Sequence, residues 1–545
     1  MAIDPGTTAN SLVSPLLGTM SSTSNHESEL DADSNISDDG RYILFDNESS
    51  DLIVGLLRQN NGDNLFLADR SAGTTTLLND NGDGTTPSLE SPGSDYAISG
   101  NGETVVFRCD SNDLVAGFTG NGEDNLYVYN VATDTLTLGS HDSNTVTAGG
   151  NGDTDDNATI SGDGAWVAYS SAATNIAASV TDGNGARDVF LLEVATGSSI
   201  LVSHASLSTS TAANGDSWEP QISNDGSTII FTSEATDLIG GFIDNNGSSS
   251  ADVYSYDVAT GTVTLLSHGA ANPLAGGNDL SDRPKVNGTG TIVTFDSEAT
   301  DLVSGFVDNN GGSSDIFVST SGLVALVTHD AGSAVAGGNS SSWRTRVSRN
   351  GSTIIFHGRA TNLVAGFIDN NGNGKDVFRY YVATGTIALV SHPFCSPTTT
   401  GNDYSSDPRI NVFGSRIAFE SAATDLVAGV IDDDDGSDDI FLYEVGLDET
   451  ILISHVPNQP TLAANYADRT AHMNADGTLL AFESQSTDLV DNDLSTQDDI
   501  FAYEYPLPLV GTSFCDPNNA NSSGASTTLS GYMLTRGGIA GGMSD

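Results

Sequence analysis

A phrase related to I-S-x-D-G, followed by an apolar run rich in β-branched residues, returns eight times in this chain. The copies begin at Ile36, Ile98, Ile160, Ile222, Val286, Val347, Ile410 and Met473. Successive starts lie 62, 62, 62, 64, 61, 63 and 63 residues apart. A period this regular marks a repeat architecture, in which each unit buries its faces only against its neighbours. The repeat therefore overrides length, since 545 residues would otherwise suggest roughly three or four separate domains.

The order within a unit is constant. The fourth copy reads QISNDGSTIIFTSEATDLIGGFIDNNGSSSADVYSYDVATGTVTLLSH, with four short β-type runs: QIS, STIIFTS, DVYSYDV and TVTLLSH. NDG and ATGT between the runs supply the positive φ that tight hairpins require. No run keeps a 3.6-residue period, so helices should be few and short. Four-stranded antiparallel units in a series of eight predict an all-β fold, an eight-bladed β-propeller spanning residues 36–511.

The last unit has three clear runs, HMN, TLLAFES and DIFAYEY, and then PLPLVG with two prolines. The missing strand is supplied by the N-terminal segment, residues 1–35, where Ser11 to Leu17 lines up with the fourth strand of the sixth unit. That strand closes either its own ring or a neighbour's, and both choices satisfy an otherwise unpaired edge. Residues 512–545 form a separate tail.

The series SxDG, β run, S-x-A-T-D-L-V, DxNG, D-[IV]-[FY], ATGT, LVSH resembles the TolB-like, or PD40, class of WD40-like repeats, over residues 36 to about 505. It is most similar to the version found in secreted and surface proteins of bacteria. The resemblance implies a propeller and an extracellular or cell-surface location, but no single activity. The tail from Gly511, GTSFCDPNNANSSGASTTLSG, resembles the start of a C-terminal module of planctomycete-type surface proteins.

The formal charge is −55, and the only lysines are Lys285 and Lys375. Nucleic acid is excluded as a partner on this ground, and no apolar run is long enough to span a membrane. Bound divalent cations or a saline habitat would each offset so much negative charge. Cys109, Cys395 and Cys515 show no CxxC spacing, and the odd number leaves at least one free or paired with another chain. MAIDPGTTANSLV carries neither the basic segment nor the apolar core of a secretory signal.

The loop between the second and third strands holds the candidate metal ligands. In the sixth unit Asp369, Asn371 and Asn373 stand at positions 1, 3 and 5, Gly374 at 6 and Asp376 at 8. Oxygen-bearing side chains so spaced can wrap a calcium ion, although the bidentate Glu of an EF-hand is missing. The counterparts are Asp182, Asn184 and Asp188; Asp244, Asn246 and Asp252; Asp308, Asn310 and Asp315; Asp432, Asp434 and Asp439; and Asp491, Asp493 and Asp499. The first two units depart from the pattern, with Gln59 and Gly120 at position 1. Asn-Gly and Asp-Gly are also plain turn formers, and the final Asp also suits the entry to the third strand.

Other recurring residues read as structural. The Asp of ATDLV (Asp51, Asp113, Asp237, Asp301, Asp425, Asp488, with Asn175 and Asn362) suits a turn cap. His141, His204, His268, His329, His392 and His455 follow the fourth strand of consecutive units, which argues for packing between blades. Trp218 and Trp343 occupy equivalent connections where packing competes with a ligand surface, and Trp166 is the third tryptophan. No GxSxG, HExxH, P-loop or strand-borne GxGxxG occurs.

From these observations the expected function is non-enzymatic: a calcium-stabilised structural propeller that self-associates into a homo-oligomer, surface layer or filament by exchanging its terminal strand. The alternative is an extracellular module that binds a glycan, peptide or surface protein on one face.

Overall fold

The structure is a computed structural model. It describes residues 10–12, 28–30 and 34–505, except 49–51, 54, 58–61, 119, 121, 156, 248–249, 433–435 and 491–496. Eight four-stranded antiparallel sheets follow one another, one per repeat, and no helix occurs among the described residues. In blade four, the strands run from inner to outer edge as Ser217–Ile222, Thr228–Ser233, Asp252–Asp257 and Thr262–Leu265. Blade eight is composite. Asp468–Met473, Leu479–Ser484 and Asp499–Glu504 come from the end of the ring, and Asn10–Leu12 adds the outer strand. The register is Asn10 with Tyr503, Ser11 with Ala502 and Leu12 with Phe501. The ring thus closes within one chain; of the expected closing strand, residues 13–17 lie outside the described residues.

Both faces of every blade are covered, so the second and third strands are nearly continuous apolar runs rather than alternating ones. Thr353–Gly358 and Asp376–Tyr381 of blade six are buried at all but one position. Each blade stacks one aromatic of its second strand on one of its third: Phe45 on Phe66, Phe107 on Tyr127, Tyr169 on Phe190, Phe231 on Tyr254, Phe295 on Phe317, Phe356 on Phe378, Phe419 on Phe441 and Phe482 on Phe501. Centroid separations are 5.5–6.0 Å, in the range of favourable offset pairs.

The inner strands carry a feature that turn chemistry does not announce. In blades four to eight the pairing with the second strand shifts register, between Trp218 and Gln221 in blade four and at matching places in the others. The bulged residue has positive φ without being glycine: Glu219 (52°), Arg283 (50°), Arg344 (56°), Asp407 (46°) and Thr470 (52°). Bulges re-aim side chains, and here they do so at one mouth of the central channel.

At the other mouth lie the turns between inner and second strands, and main-chain hydrogen bonds join them into a ring. Asp38 N donates to Gly100 O, Asn101 N to Gly162 O, Gly162 N to Asn224 O, Asp225 N to Gly288 O, Gly288 N to Arg349 O, Asn350 N to Val412 O, Val412 N to Ala475 O, and Ala475 N to Asp38 O, at 2.8–3.2 Å. Every junction between adjacent blades, including eight to one, has such a bond.

Phe356 is fully buried between blades five and six. Replacing it with alanine should cost about 3–5 kcal/mol, read as a lowered denaturant midpoint with the β-sheet spectrum retained before the transition.

Candidate functional site in the central channel

The loops singled out by spacing are real turns with capped ends. In blade six Asp369 Oδ1 accepts the amides of Asn371 (3.1 Å) and Gly372 (2.7 Å). Asn371 Nδ2 reaches Asp376 Oδ1 and the carbonyl of Asp403, both at 3.1 Å, while Asn373 is exposed. Blade five repeats this with Asp308 capping Asn310 and Asn310 Nδ2 3.1 Å from Asp315. Blade four is looser, with Asn246 Nδ2 3.5 Å from Asp252 and Asp244 capping the turn. In blade three Asp182 caps Asn184, but Asn184 turns its Nδ2 to the carbonyl of Ala213. Asp434, Asp491 and Asp493 lie outside the described residues. Asp432 precedes that gap in blade seven, and Asp439 and Asp499 open the third strands of blades seven and eight.

The last Asp of each loop is buried. Asp188, Asp252, Asp315 and Asp439 each accept a hydroxyl from the end of the fourth strand: Ser203, Ser267, Thr328 and Ser454, at 2.7–2.9 Å. Burial pushes the carboxyls of Asp188, Asp252, Asp315 and Asp376 up to about 7. Among the described residues no three His, Cys, Asp or Glu side chains converge as metal ligands.

The Asp of ATDLV is part of a reciprocal clasp. Asp237 Oδ1 accepts the amide of Asn214, while Asn214 Nδ2 donates to Thr236 Oγ1 and Asn214 Oδ1 accepts the amide of Thr236. The histidines join neighbouring blades. His329 Nε2 meets the carbonyl of Gly385 at 2.9 Å, and the rings of His204, His329, His392 and His455 lie edge-on to Tyr256, Tyr380, Tyr443 and Tyr503. Trp218 packs under Arg187, and Trp343 against His357 and Arg359. Cys395 is disulfide-bonded. Cys109 is free and buried, which pushes its thiol up to about 12.

The chemistry gathers instead along the axis. A cavity of about 280 Å³ is lined by inner-strand residues that include Gln221, Lys285, Arg346 and His472. These four occupy one register, each the residue before the Ile, Val or Met that opens its repeat, and Arg409 holds the same register in blade seven. In a chain with 17 lysines and arginines, six stand on the inner strands and following turns of blades five to seven: Arg283, Lys285, Arg344, Arg346, Arg349 and Arg409. Three belong to one layer, two to the bulges and one to the turn.

On the second strands Asp296, His357 and Glu420 hold one register. Asp296 lies opposite Asp282, two residues along the same sheet face from Thr294, which lies opposite Lys285. Asp296 is 1% exposed, neither of its oxygens accepts a hydrogen bond, and Arg283 Nη1 stands 3.7 Å away. Burial pushes it up to about 8. Its counterparts in the next blades clasp their neighbours: His357 Nδ1 accepts the amide of Asp407 at 3.1 Å, and Glu420 Oε1 that of Thr470 at 2.8 Å. Burial raises Glu420 to about 7 and holds His357 well below its usual range.

No known family model matches the chain, and no curated protein does. Solved structures do. An oligogalacturonate lyase from Vibrio parahaemolyticus is 11% identical over 81% of this chain and 96% of its own, with a TM-score of 0.42. A dipeptidyl peptidase 4 from Porphyromonas gingivalis is 11% identical over 82% and 56%, with 0.44. A putative TolB from Agrobacterium tumefaciens is 17% identical over 60% and 89%, with 0.30.

The chain is an eight-bladed β-propeller. At these identities the likeness concerns fold alone. The expectation of a non-enzymatic structural protein is withdrawn: a lyase and a peptidase stand beside TolB among these neighbours, and the fold assigns none of their activities to this chain. Within the single chain, Asn10–Leu12 pairs with blade eight of its own ring. The alternative reading, a binding module acting through one face, belongs to the same corrected expectation; the polar residues with unusual surroundings lie in the channel.

A carboxyl raised in the folded state adds stability that is complete below its ordinary range and is lost as pH rises through its folded value. Asp188, Asp252, Asp315 and Asp376 should therefore raise the melting temperature between pH 8 and pH 5.5. Thermal melts at constant ionic strength check this, and Asp376→Asn should flatten the dependence.

Proposed function

We propose that the protein holds a carboxylate-bearing small molecule in its central channel, against Lys285, Arg346 and Arg409. One observation carries this reading: a layer of basic side chains lines the axis of a chain whose net charge is −55. A strongly acidic surface repels anions in general, so a basic lining enclosed by it selects for ligands that reach the cavity and pair there. Guanidinium groups suit carboxylates through two parallel hydrogen bonds.

Acid–base chemistry on the bound molecule is the second reading, favoured by Asp296. A buried acid that accepts no hydrogen bond is costly to keep, and such exceptions concentrate at functional sites. It lies one strand outward of the basic layer, on the sheet face it shares with Thr294 and Lys285.

The disulfide at Cys395 fits an oxidising compartment, and we place the protein outside the cytoplasm, at the cell surface or beyond. Calcium in the loops of blades five and six is supported by Asn310 Oδ1 and Asn371 Oδ1, buried atoms without a partner. An end-for-end turn of the Asn371 amide would aim that oxygen at Asp376 and the Asp403 carbonyl, a set that holds together around a hard cation. Calcium should then raise the melting temperature at pH 8 and leave it unchanged at pH 5.5; equal melts with calcium and with chelator at pH 8 would remove the ion from the account.

For the channel, titration calorimetry with citrate and adipate is the test. Lys285→Gln and Arg346→Gln should each weaken binding about tenfold without changing the melt. Unchanged affinity in both variants would defeat the reading.

A further inference from the structure

The floor of the channel is built by one residue from each turn: Asp38, Gly100, Gly162, Asn224, Gly288, Arg349, Val412 and Ala475. Only Asp38 and Arg349 carry charge. They belong to blades one and six, which are not neighbours, yet Arg349 Nη1 and Nη2 donate to Asp38 Oδ2 and Oδ1 at 2.6 and 2.7 Å. The pair lies across the end of the cavity that both residues line.

The glycines make room for it. A Cβ on Gly288 would stand 2.4 Å from Arg349 Cγ, and one on Gly100 would stand 2.8 Å from Asp38 Oδ2. Neither position has a φ that demands glycine, so space is the reason for the residue. In the same way Gly162 leaves room for Asn224, whose Oδ1 would lie 2.2 Å from the added carbon.

Arg349 follows Arg346 by three residues, at most about 10 Å along the chain, in the turn that ends the inner strand. It therefore presents a second guanidinium below the basic layer, already engaged in the two-point pairing that a ligand carboxylate makes. Both members are about one-third exposed, with side-chain accessibilities of 31% and 37%, so the pair adds little to stability and can be exchanged.

We infer that Asp38 is an internal stand-in for a ligand carboxylate, seated on Arg349 until a dicarboxylate entering from the opposite mouth displaces it. This rests on the channel reading above and names the ligand class: a molecule with two carboxylates, one for the Lys285–Arg346 layer and one for Arg349. Asp38 then sets affinity by competition, so removing its charge strengthens binding instead of weakening it.

The experiment compares adipate binding by calorimetry in wild type, Asp38→Asn, Arg349→Gln, Gly288→Ala and a charge control, Asp39→Asn, each shown to be folded by its melt. Asp38→Asn should bind about fivefold tighter than wild type, with Asp39→Asn unchanged. Arg349→Gln and Gly288→Ala should bind more weakly. If Arg346→Gln weakens binding but Asp38→Asn is no tighter than Asp39→Asn, the stand-in role is overturned and the channel reading survives. If neither wild type nor Asp38→Asn binds adipate, both are overturned.

Discussion

The propeller depends on a loop of eight main-chain hydrogen bonds, one at each blade junction, drawn around the axis at the turns between inner and second strands. Side-chain packing between blades is strong but tolerant, because apolar contacts fix distance better than orientation. Hydrogen bonds between backbone groups are directional and leave no buried donor unpaired. They set each blade at a fixed angle to the next and bring one residue per blade to the floor and one to the wall of the same narrow channel. The functional candidates are positioned by that geometry.

The fold was legible because its determinants repeat. Eight apolar second strands, each entered by a turn that ends in glycine, state the blade eight times, and the deficit of one strand at the end pointed to the N-terminal segment. Two readings at single positions also hold in the structure: the histidines join blades through Tyr256, Tyr380, Tyr443 and Tyr503, and the ATDLV aspartates cap and clasp. The inner-strand bulges were not legible. Glu219, Arg283, Arg344, Asp407 and Thr470 have no preference for positive φ, and the neighbouring blades impose it.

The channel was hidden for a different reason. Aligning repeats draws attention to what they share, and shared residues build the scaffold. The residue before each repeat start varies: Asn35, Ala97, Thr159, Gln221, Lys285, Arg346, Arg409 and His472. Reading the copies for their disagreement would have found a column that, Ala97 apart, holds polar or basic residues directly before the Ile, Val or Met of each copy. In a propeller that column is the wall of the axis, so variation at one register of an otherwise uniform repeat is the signature of a site.

The pairing of Asp38 with Arg349 also acts on the molecule mechanically. A ring joined only along its rim can flatten into an oval without breaking a single joint, as each hinge gives a little. A bar fixed between two points that are not neighbours is a chord, and a chord of constant length resists that flattening. The chord is made of two side chains that a small anion can separate, so the stiffness of this wheel is adjustable at its hub.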